Sequence, residues 1–284
     1  MSGMVTGSIG IVAVPVCRHR SAGSVPGVNL NDFQALYDLS GRTAIVTGGT
    51  RGIGYAIAEA LGACGASVVV SSRKADACTT AAKELQGKGY RALGVPAHMG
   101  DLSDIDGLVA STVDEYGGVD IVVNAAANPV AQPMGSYTHE ALGKSFDVNV
   151  RGPVFLVQAA LPHLTASEHA SVLNVVSVAA FQYVPMLSMY AAMKATLMSF
   201  TRSMAAEYTG RGIRVNALAP GTVDTYMLQQ NPQEIIDAMA AQSFMGRLAS
   251  TDEMIGPALL LLSDAGSFIT GQVIVADGGG LVQR

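Results

Sequence analysis

Charge is scarce in this chain. Only 14% of its 284 residues are Asp, Glu, Lys or Arg, and the net charge is −5. A nucleic-acid surface needs a basic stripe, so nucleic acid is excluded as a partner. Cysteine is scarcer: three residues, Cys17, Cys64 and Cys78, an odd number without metal-ligand spacing. They point to free thiols in a reducing compartment, and neither a disulfide framework nor a metal site is expected. Cys64 and Cys78 fall on predicted helices and read as packing residues rather than nucleophiles. No apolar run approaches the roughly 18 residues of a membrane span, so no membrane partner is expected. No internal repeat of solenoid period occurs.

What is present is apolar residues (49%) and glycine (32 residues), in a length that suits one α/β domain plus an arm. Residues 1–37 read as an N-terminal extension rich in Gly, Ser, Val and Pro, with charge only at Arg18, Arg20 and Asp32. Its apolar stretch 9–17 is interrupted by Pro15 and lacks a basic leader, so it fits a secretory signal poorly. An arm on a neighbouring subunit and a loose tail both remain open. The closing Leu281-Val282-Gln283-Arg284 does not match a Ser-Lys-Leu peroxisomal signal, and a cytoplasmic location is expected.

From residue 38 to 284 a single domain is expected. Strands are predicted near 43–47, 67–71, 91–96, 119–124, 171–177, 213–218 and 272–275, with helices between them. Such alternation implies a single Rossmann-type, doubly wound parallel sheet covered by helices on both faces, with ligands at the carboxyl ends of its strands.

The first strand runs into Thr47-Gly48-Gly49-Thr50-Arg51-Gly52-Ile53-Gly54, and a helical pattern follows at once. A lone glycine motif is weak, but strand, glycine turn and helix in that order make a dinucleotide site. Gly48 permits the sharp turn, Gly52 lets a pyrophosphate approach the backbone, and Gly54 lets the helix pack close to the sheet. At the end of the second strand an NAD site carries an Asp or Glu for the ribose 2′-hydroxyl. Here the residues are Ser71-Ser72-Arg73-Lys74. Ser72 and Arg73, with Arg51 in reach, suit a 2′-phosphate, so NADP(H) is the expected cofactor.

Far downstream lie Ser177 and Tyr190-Ala191-Ala192-Met193-Lys194. Tyrosine and lysine four apart on a helix share a face, with Cβ atoms about 5–6 Å apart. An ammonium there is expected to lower the tyrosine pKa toward neutrality, and a shift of about 3 units would be worth roughly 4 kcal/mol. Such a tyrosine can exchange a proton with a carbonyl or alcohol oxygen near pH 7.

These residues, in this order, resemble the short-chain dehydrogenase/reductase family. The match runs from about Asp38 to the C-terminus and includes Asn124-Ala125-Ala126-Ala127, Asn149, Pro220-Gly221 with Thr225, Thr270-Gly271-Gln272 and Asp277-Gly278-Gly279. Stretches such as His98-Met99-Gly100 and Ala179-Ala180-Phe181 are similar to the NADPH-dependent carbonyl/retinal reductase branch; 3-oxoacyl-carrier-protein reductases look similar over the same span. The resemblance implies that Tyr190 is the general acid or base and that Ser177 hydrogen-bonds the substrate oxygen. Lys194 would bind the nicotinamide ribose and Asn149 would position a proton-relaying water. Cofactor contacts are implied at Gly48, Thr50, Arg51, Gly52, Ile53, Gly54, Ser72, Arg73, His98, Met99, Asn124, Ala126, Tyr190, Lys194, Pro220, Gly221, Val223 and Thr225.

Four positions depart from the family pattern. Ala125 and Ala127 stand in a stretch usually Asn-Asn-Ala-Gly, and Ala127 adds a methyl where backbone lies near the cofactor. His98 replaces an acidic or amide residue and reads as a partly exposed strand-end histidine. Ala276 replaces a valine without expected consequence.

In the family the stretch between Thr225 and Arg247 is a mobile lid, and Gly221 offers it a hinge. Met227, Leu228, Met239, Phe244 and Met245 there, with Met134, Tyr183, Val184, Pro185 and Met186, are expected to form an apolar pocket. That favours a reductase of apolar ketones or aldehydes. A 3-oxoacyl-thioester reductase is the alternative, with Arg151, Arg202 or Arg247 facing an acidic carrier; a non-catalytic NADP(H)-binding sensor or scaffold is a third. A helix over 251–263, ending Ala258-Leu259-Leu260-Leu261-Leu262, leaves an apolar stripe that predicts a homotetramer.

Overall fold

The computed structural model describes residues 29–226 and 228–283. Residues 1–28, which hold most of the extension with Arg18 and Arg20, lie outside the described residues, as do Met227 and Arg284.

Seven short runs rich in Val, Ile, Leu and Ala form one parallel sheet: β1 Thr43–Thr47, β2 Ser67–Ser72, β3 Ala92–Pro96, β4 Ile121–Asn124, β5 Ser171–Val175, β6 Arg214–Pro220 and β7 Val273–Ala276. The order is β3-β2-β1-β4-β5-β6-β7. Thr43 is in register with Ser67, Ala44 with Ile121, Ile121 with Ser171, Ser171 with Arg214 and Ala217 with Val273. Predicted strands match closely, except that β4 starts two residues later, β6 runs on two residues to Pro220, and β5 stops at Val175, where the chain turns to present Ser177.

Strand periodicity divides the core in two. Ala44, Val46, Val68, Val70, Ile121 and Val123 point to one face, where α2 (Gly52–Ala63), α3 (Ala75–Gly87) and α9 (Ile255–Leu262) cover them. Ile45, Val69, Val122, Val172 and Val215 point to the other, under α4 (Leu102–Tyr116), α6 (Gly152–Ala166) and α7 (Ser188–Tyr208). Each fully buried Val, Leu or Ile side chain contributes about 1.5–3 kcal/mol, so the sheet is held from both sides. Apolar strands without polar alternation follow from that double cover.

Local signals set the helix ends. Asp101 caps α4 by accepting from the main-chain N–H of Ser103 at 2.9 Å, and Gly117 at φ 85° ends it. Two shorter helices, α5 (His139–Phe146) and α8 (Gln233–Ala240), flank the cleft; α5 continues into one π-helical turn, Asp147–Arg151. The described end of the extension forms α1 (Leu30–Ala35), capped reciprocally by Asn29 and Asp32. Ala265 N–H donates to the Leu36 carbonyl (3.1 Å), which ties this end to the domain.

The expected apolar stripe at 258–262 is mostly core. The segment splits into a 3₁₀ turn, Thr251–Met254, and the eight-residue α9, whose Ala258, Leu261 and Leu262 are buried against α2 and the sheet. Only Leu259 and Leu260 are half-buried, because a helix wedged between two layers has apolar neighbours on most of its circumference. β7 is one of the two edge strands of the sheet, with Val275 partly exposed and Phe268 fully exposed nearby.

Candidate active site

Between β1 and β4 the strand order reverses, and a parallel sheet opens a crevice there at the carboxyl ends. The glycine turn fills its floor. A Cβ on Gly48 would lie 2.8 Å from the Ala126 nitrogen, and one on Gly54 would collide with the Gly48 carbonyl oxygen. Only glycine lets the turn, the segment after β4 and α2 approach so closely. Gly48 and Gly52 also sit at φ 66° and 58°.

No side chain caps the N-terminus of α2, where Arg51 is the N-cap residue. Its first N–H groups therefore face the crevice as an anion site. Arg51, Arg73 and Lys74 have no carboxylate partner among the described residues. The Ser71 hydroxyl is buried without a partner. Free helix N–H groups and unpaired cations are the donor set that a phosphorylated dinucleotide requires.

Of the other cofactor candidates, Thr50, Ala126, His98, Gly221 and Thr225 are half-buried, while Ile53 packs on the core. Ser72 is held by Cys78: its N–H donates to the sulfur at 3.2 Å, and its hydroxyl lies 3.3 Å from it. Met99 and Val223 belong to the hydrophobic core, and Pro220 is buried on β6, so any cofactor contact of these three falls to the main chain. Asn124 is buried and donates to Asn174 Oδ1 (2.9 Å), whose own amide donates to Thr201, while Asn124 Oδ1 is left without a protein partner. The His98 ring accepts from the Gly100 N–H (3.0 Å) and stays partly exposed. Ala127 is exposed.

Three side chains meet further along the crevice. Ser177 follows β5, and Tyr190 and Lys194 lie one turn apart in α7. The Ser177 hydroxyl lies near enough to the Tyr190 phenol to lower its pKa, and it accepts from the Ala179 N–H (3.2 Å). Lys194 is fully buried, its ammonium donating to the Val175 carbonyl at 2.7 Å and lying 5.6 Å from the centre of the Tyr190 ring. The expected lowering of the tyrosine pKa is not found. Burial pushes the Tyr190 phenol up to about 12, against the lowering effect of Ser177, and pushes Lys194 down to about 8. Desolvation prevails, and the lysine does not offset it because its ammonium is turned to the Val175 carbonyl.

Asn149 is buried in the π-helical turn, and its side chain clamps the loop after β4. Oδ1 accepts from Asn128 N–H (3.1 Å), and Nδ2 donates to the carbonyls of Asn128 (3.1 Å) and Ser145 (2.9 Å). A π-turn at this point is a feature found at functional sites.

Gly221, at the start of the segment after β6, is a point of close approach: a Cβ there would meet Asp277 at 2.7 Å, and its N–H donates to the Ala276 carbonyl (2.9 Å). The expected apolar side chains do not close into one pocket. Met134, Tyr183, Met186 and Phe244 stand exposed on three loops at the rim. Met239 and Met245 instead line a cavity of about 320 Å³ together with Val178 and Gln182. An Arg247–Glu253 ion pair (2.7 Å) gives that cavity one polar wall.

Cys78, Tyr137 and Tyr226 were not legible as site residues. Tyr137 accepts from the Met189 N–H (3.2 Å) at the start of α7, and Tyr226 stacks on Arg51 at 5.2 Å. Tyr137 and Tyr226 act across long sequence separations, without a local motif to mark them, whereas Cys78 reaches back only to Ser72. Among the described residues no cluster of His, Cys, Asp or Glu could hold a metal ion, and no helix is long and apolar enough to cross a membrane.

Residues 48–280 match a family model described as enoyl-(acyl carrier protein) reductase. The chain is 39% identical over 244 residues to the short-chain dehydrogenase/reductase SDRA of Arabidopsis thaliana, covering 85% of this chain and 95% of the relative. It is 38% identical over 244 residues to the human dehydrogenase/reductase SDR family member 4, covering 85% and 88%. A 3-oxoacyl-(acyl-carrier-protein) reductase from Agrobacterium tumefaciens, solved with NADP bound, superposes with a TM-score of 0.81 at 31% identity, covering 87% of this chain and 96% of that one. The chain belongs to the short-chain dehydrogenase/reductase family, whose members act on CH–OH and C=O groups.

Proposed function

We propose that the protein is an NADPH-dependent reductase of apolar ketones or aldehydes, reversible in principle. The Ser177 hydroxyl beside the Tyr190 phenol, with Lys194 buried next to them, carries this reading. A bound reduced nicotinamide supplies hydride to the carbonyl carbon. As charge builds on the substrate oxygen, the hydroxyls of Ser177 and Tyr190 stabilise it, and Tyr190 gives up its proton. A phenol pushed up to about 12 is fully protonated at neutral pH, the state a reduction needs. Lys194 would hold the nicotinamide ribose, and Asn149 keeps the neighbouring loop in place. Gly48, Gly52, Gly54 and the open end of α2 seat the pyrophosphate.

The unpaired Arg51 and Arg73 support NADP(H) over NAD(H). Exposed Tyr183, Met186 and Phe244 at the rim, with Met239 and Met245 in the cavity, support an apolar substrate. The thioester alternative is less well supported: Arg247 is paired with Glu253, and Arg151 with Asp147 and the Gly100 carbonyl, so two of its three arginines are occupied. A homotetramer is supported by the free edge of β7 with exposed Phe268; a monomer by light scattering would remove that part.

The test is NADPH oxidation by wild type and Tyr190→Phe over diketones, aromatic ketones, retinal and acetoacetyl-CoA, with NADH in parallel. Turnover that collapses in the variant supports the reading. Activity on the thioester alone selects the alternative, and NADPH binding without any turnover points to a non-catalytic protein.

A further inference from the structure

Tyr226 follows Thr225 in the segment after β6, and its ring is 64% exposed. Arg51 belongs to the glycine turn after β1. Between these strands stand β4 and β5, so at about 4.8 Å per strand the two elements start roughly 14 Å apart. Yet the Arg51 guanidinium carbon lies 5.2 Å from the centre of the Tyr226 ring. The methyl of Thr225 comes within 3.5 Å of the position a Cβ on Gly52 would occupy. The segment after β6 thus bends over the crevice and lands on the glycine turn at two adjacent points.

The kind of contact matters. A guanidinium against an aromatic face is attracted through its plane, while its N–H groups point outward in that plane. Arg51 has no carboxylate partner among the described residues, so those N–H groups are unused. A long arginine side chain without such a platform would be dispersed over many rotamers, and ordering it on binding would weaken an anion contact.

We propose that Tyr226 is a positioning residue for Arg51, holding its guanidinium ready for the 2′-phosphate of NADP(H). Choice of cofactor on the adenosine side then depends on a side chain in the segment that roofs the substrate side. The proposal rests on the NADP(H) reading given above.

Dissociation constants for NADPH and NADH, measured by fluorescence titration on the full chain, test it in wild type, Tyr226→Ala, Tyr226→Phe, Arg51→Ala and the Arg51→Ala/Tyr226→Ala double variant. Tyr226→Ala is expected to weaken NADPH about threefold to tenfold, the size of a partly exposed cation–π contact. NADH should change by less than about twofold, since it lacks the group Arg51 would meet. Tyr226→Phe should restore NADPH binding, and Tyr226→Ala should cost nothing further once Arg51 is gone. Equal weakening of both cofactors would assign Tyr226 to general lid packing and overturn the proposal. So would an unchanged NADPH affinity, or a loss that persists without Arg51. If wild type binds NADH as tightly as NADPH, the NADP(H) reading itself fails, whatever the variants do.

Discussion

The ammonium of Lys194 donates to the carbonyl oxygen of Val175 at 2.7 Å and passes the ring of Tyr190 at 5.6 Å from its centre. The lysine is thereby anchored to the end of β5, the strand that also leads to Ser177. Position along the sheet, rather than direct contact with the phenol, is what this buried cation fixes.

Burial of Lys194 makes stability depend on pH. Its native pKa is pushed down to about 8, while an unfolded lysine titrates near about 10.4. Between those values the native lysine has released its proton and the unfolded one has not, so unfolding takes up a proton and rising pH favours the native state. Tyr190 opposes this only from about pH 10, where the unfolded tyrosine ionises and the native one, at about 12, does not. The cofactor-free protein is expected to gain stability through this lysine from about pH 8 to 10. Lys194→Met should remove that gain, as read by denaturant midpoints at pH 7.5 and 9.5. An unchanged pH slope in the variant would contradict the assignment.

Arg73 has no ion-pair partner among the described residues and follows Ser72 directly. Arg73→Glu replaces attraction for a 2′-phosphate with repulsion and offers a carboxylate to a ribose 2′-hydroxyl. The ratio of NADPH to NADH affinity should fall by about 10- to 100-fold, the span of one lost charge-assisted contact plus one like-charge contact. Equilibrium titration with both cofactors measures it, and an unchanged ratio would place the phosphate elsewhere.

Two glycines in helices should respond oppositely to alanine. A Cβ on Gly54 collides with the Gly48 carbonyl oxygen, so Gly54→Ala should cost at least about 2 kcal/mol and distort the turn. Gly107 in α4 has nothing within 4 Å of its missing Cβ, and Gly107→Ala should stabilise by about 0.5–1 kcal/mol. Chemical denaturation of the two variants checks the contrast.

Met186, between Ser177 and Tyr190, holds φ 67° although it is not glycine, and its carbonyl accepts from Gln132 N–H at 2.7 Å. The left-handed backbone costs a non-glycine residue about 1 kcal/mol or more. Met186→Gly should therefore leave stability within about 0.5 kcal/mol, strain relief offsetting the greater freedom of the unfolded chain, whereas Met186→Val should lose more than about 1 kcal/mol. Equal losses in both variants, read from melting temperatures, would show that the side chain rather than the backbone matters.

Much of this molecule was written locally. The β-branched runs, the glycine turn at 48–54 and the one-turn spacing of Tyr190 and Lys194 depend only on neighbours in sequence, and backbone sterics and helical period translate them directly into structure. Sequence alone thus determined the doubly wound sheet, the glycine turn in its crevice and the family. Tertiary structure decided what depends on distant groups and on water. It set the direction of the Tyr190 pKa, because desolvation is a property of everything packed around the phenol. It brought Gly221 into close contact with Asp277, drew the leucines of 259–262 largely into the core, and brought Tyr226 across two strands to Arg51. Burial and long-range contact are set when the chain closes on itself, and no local spacing encodes them.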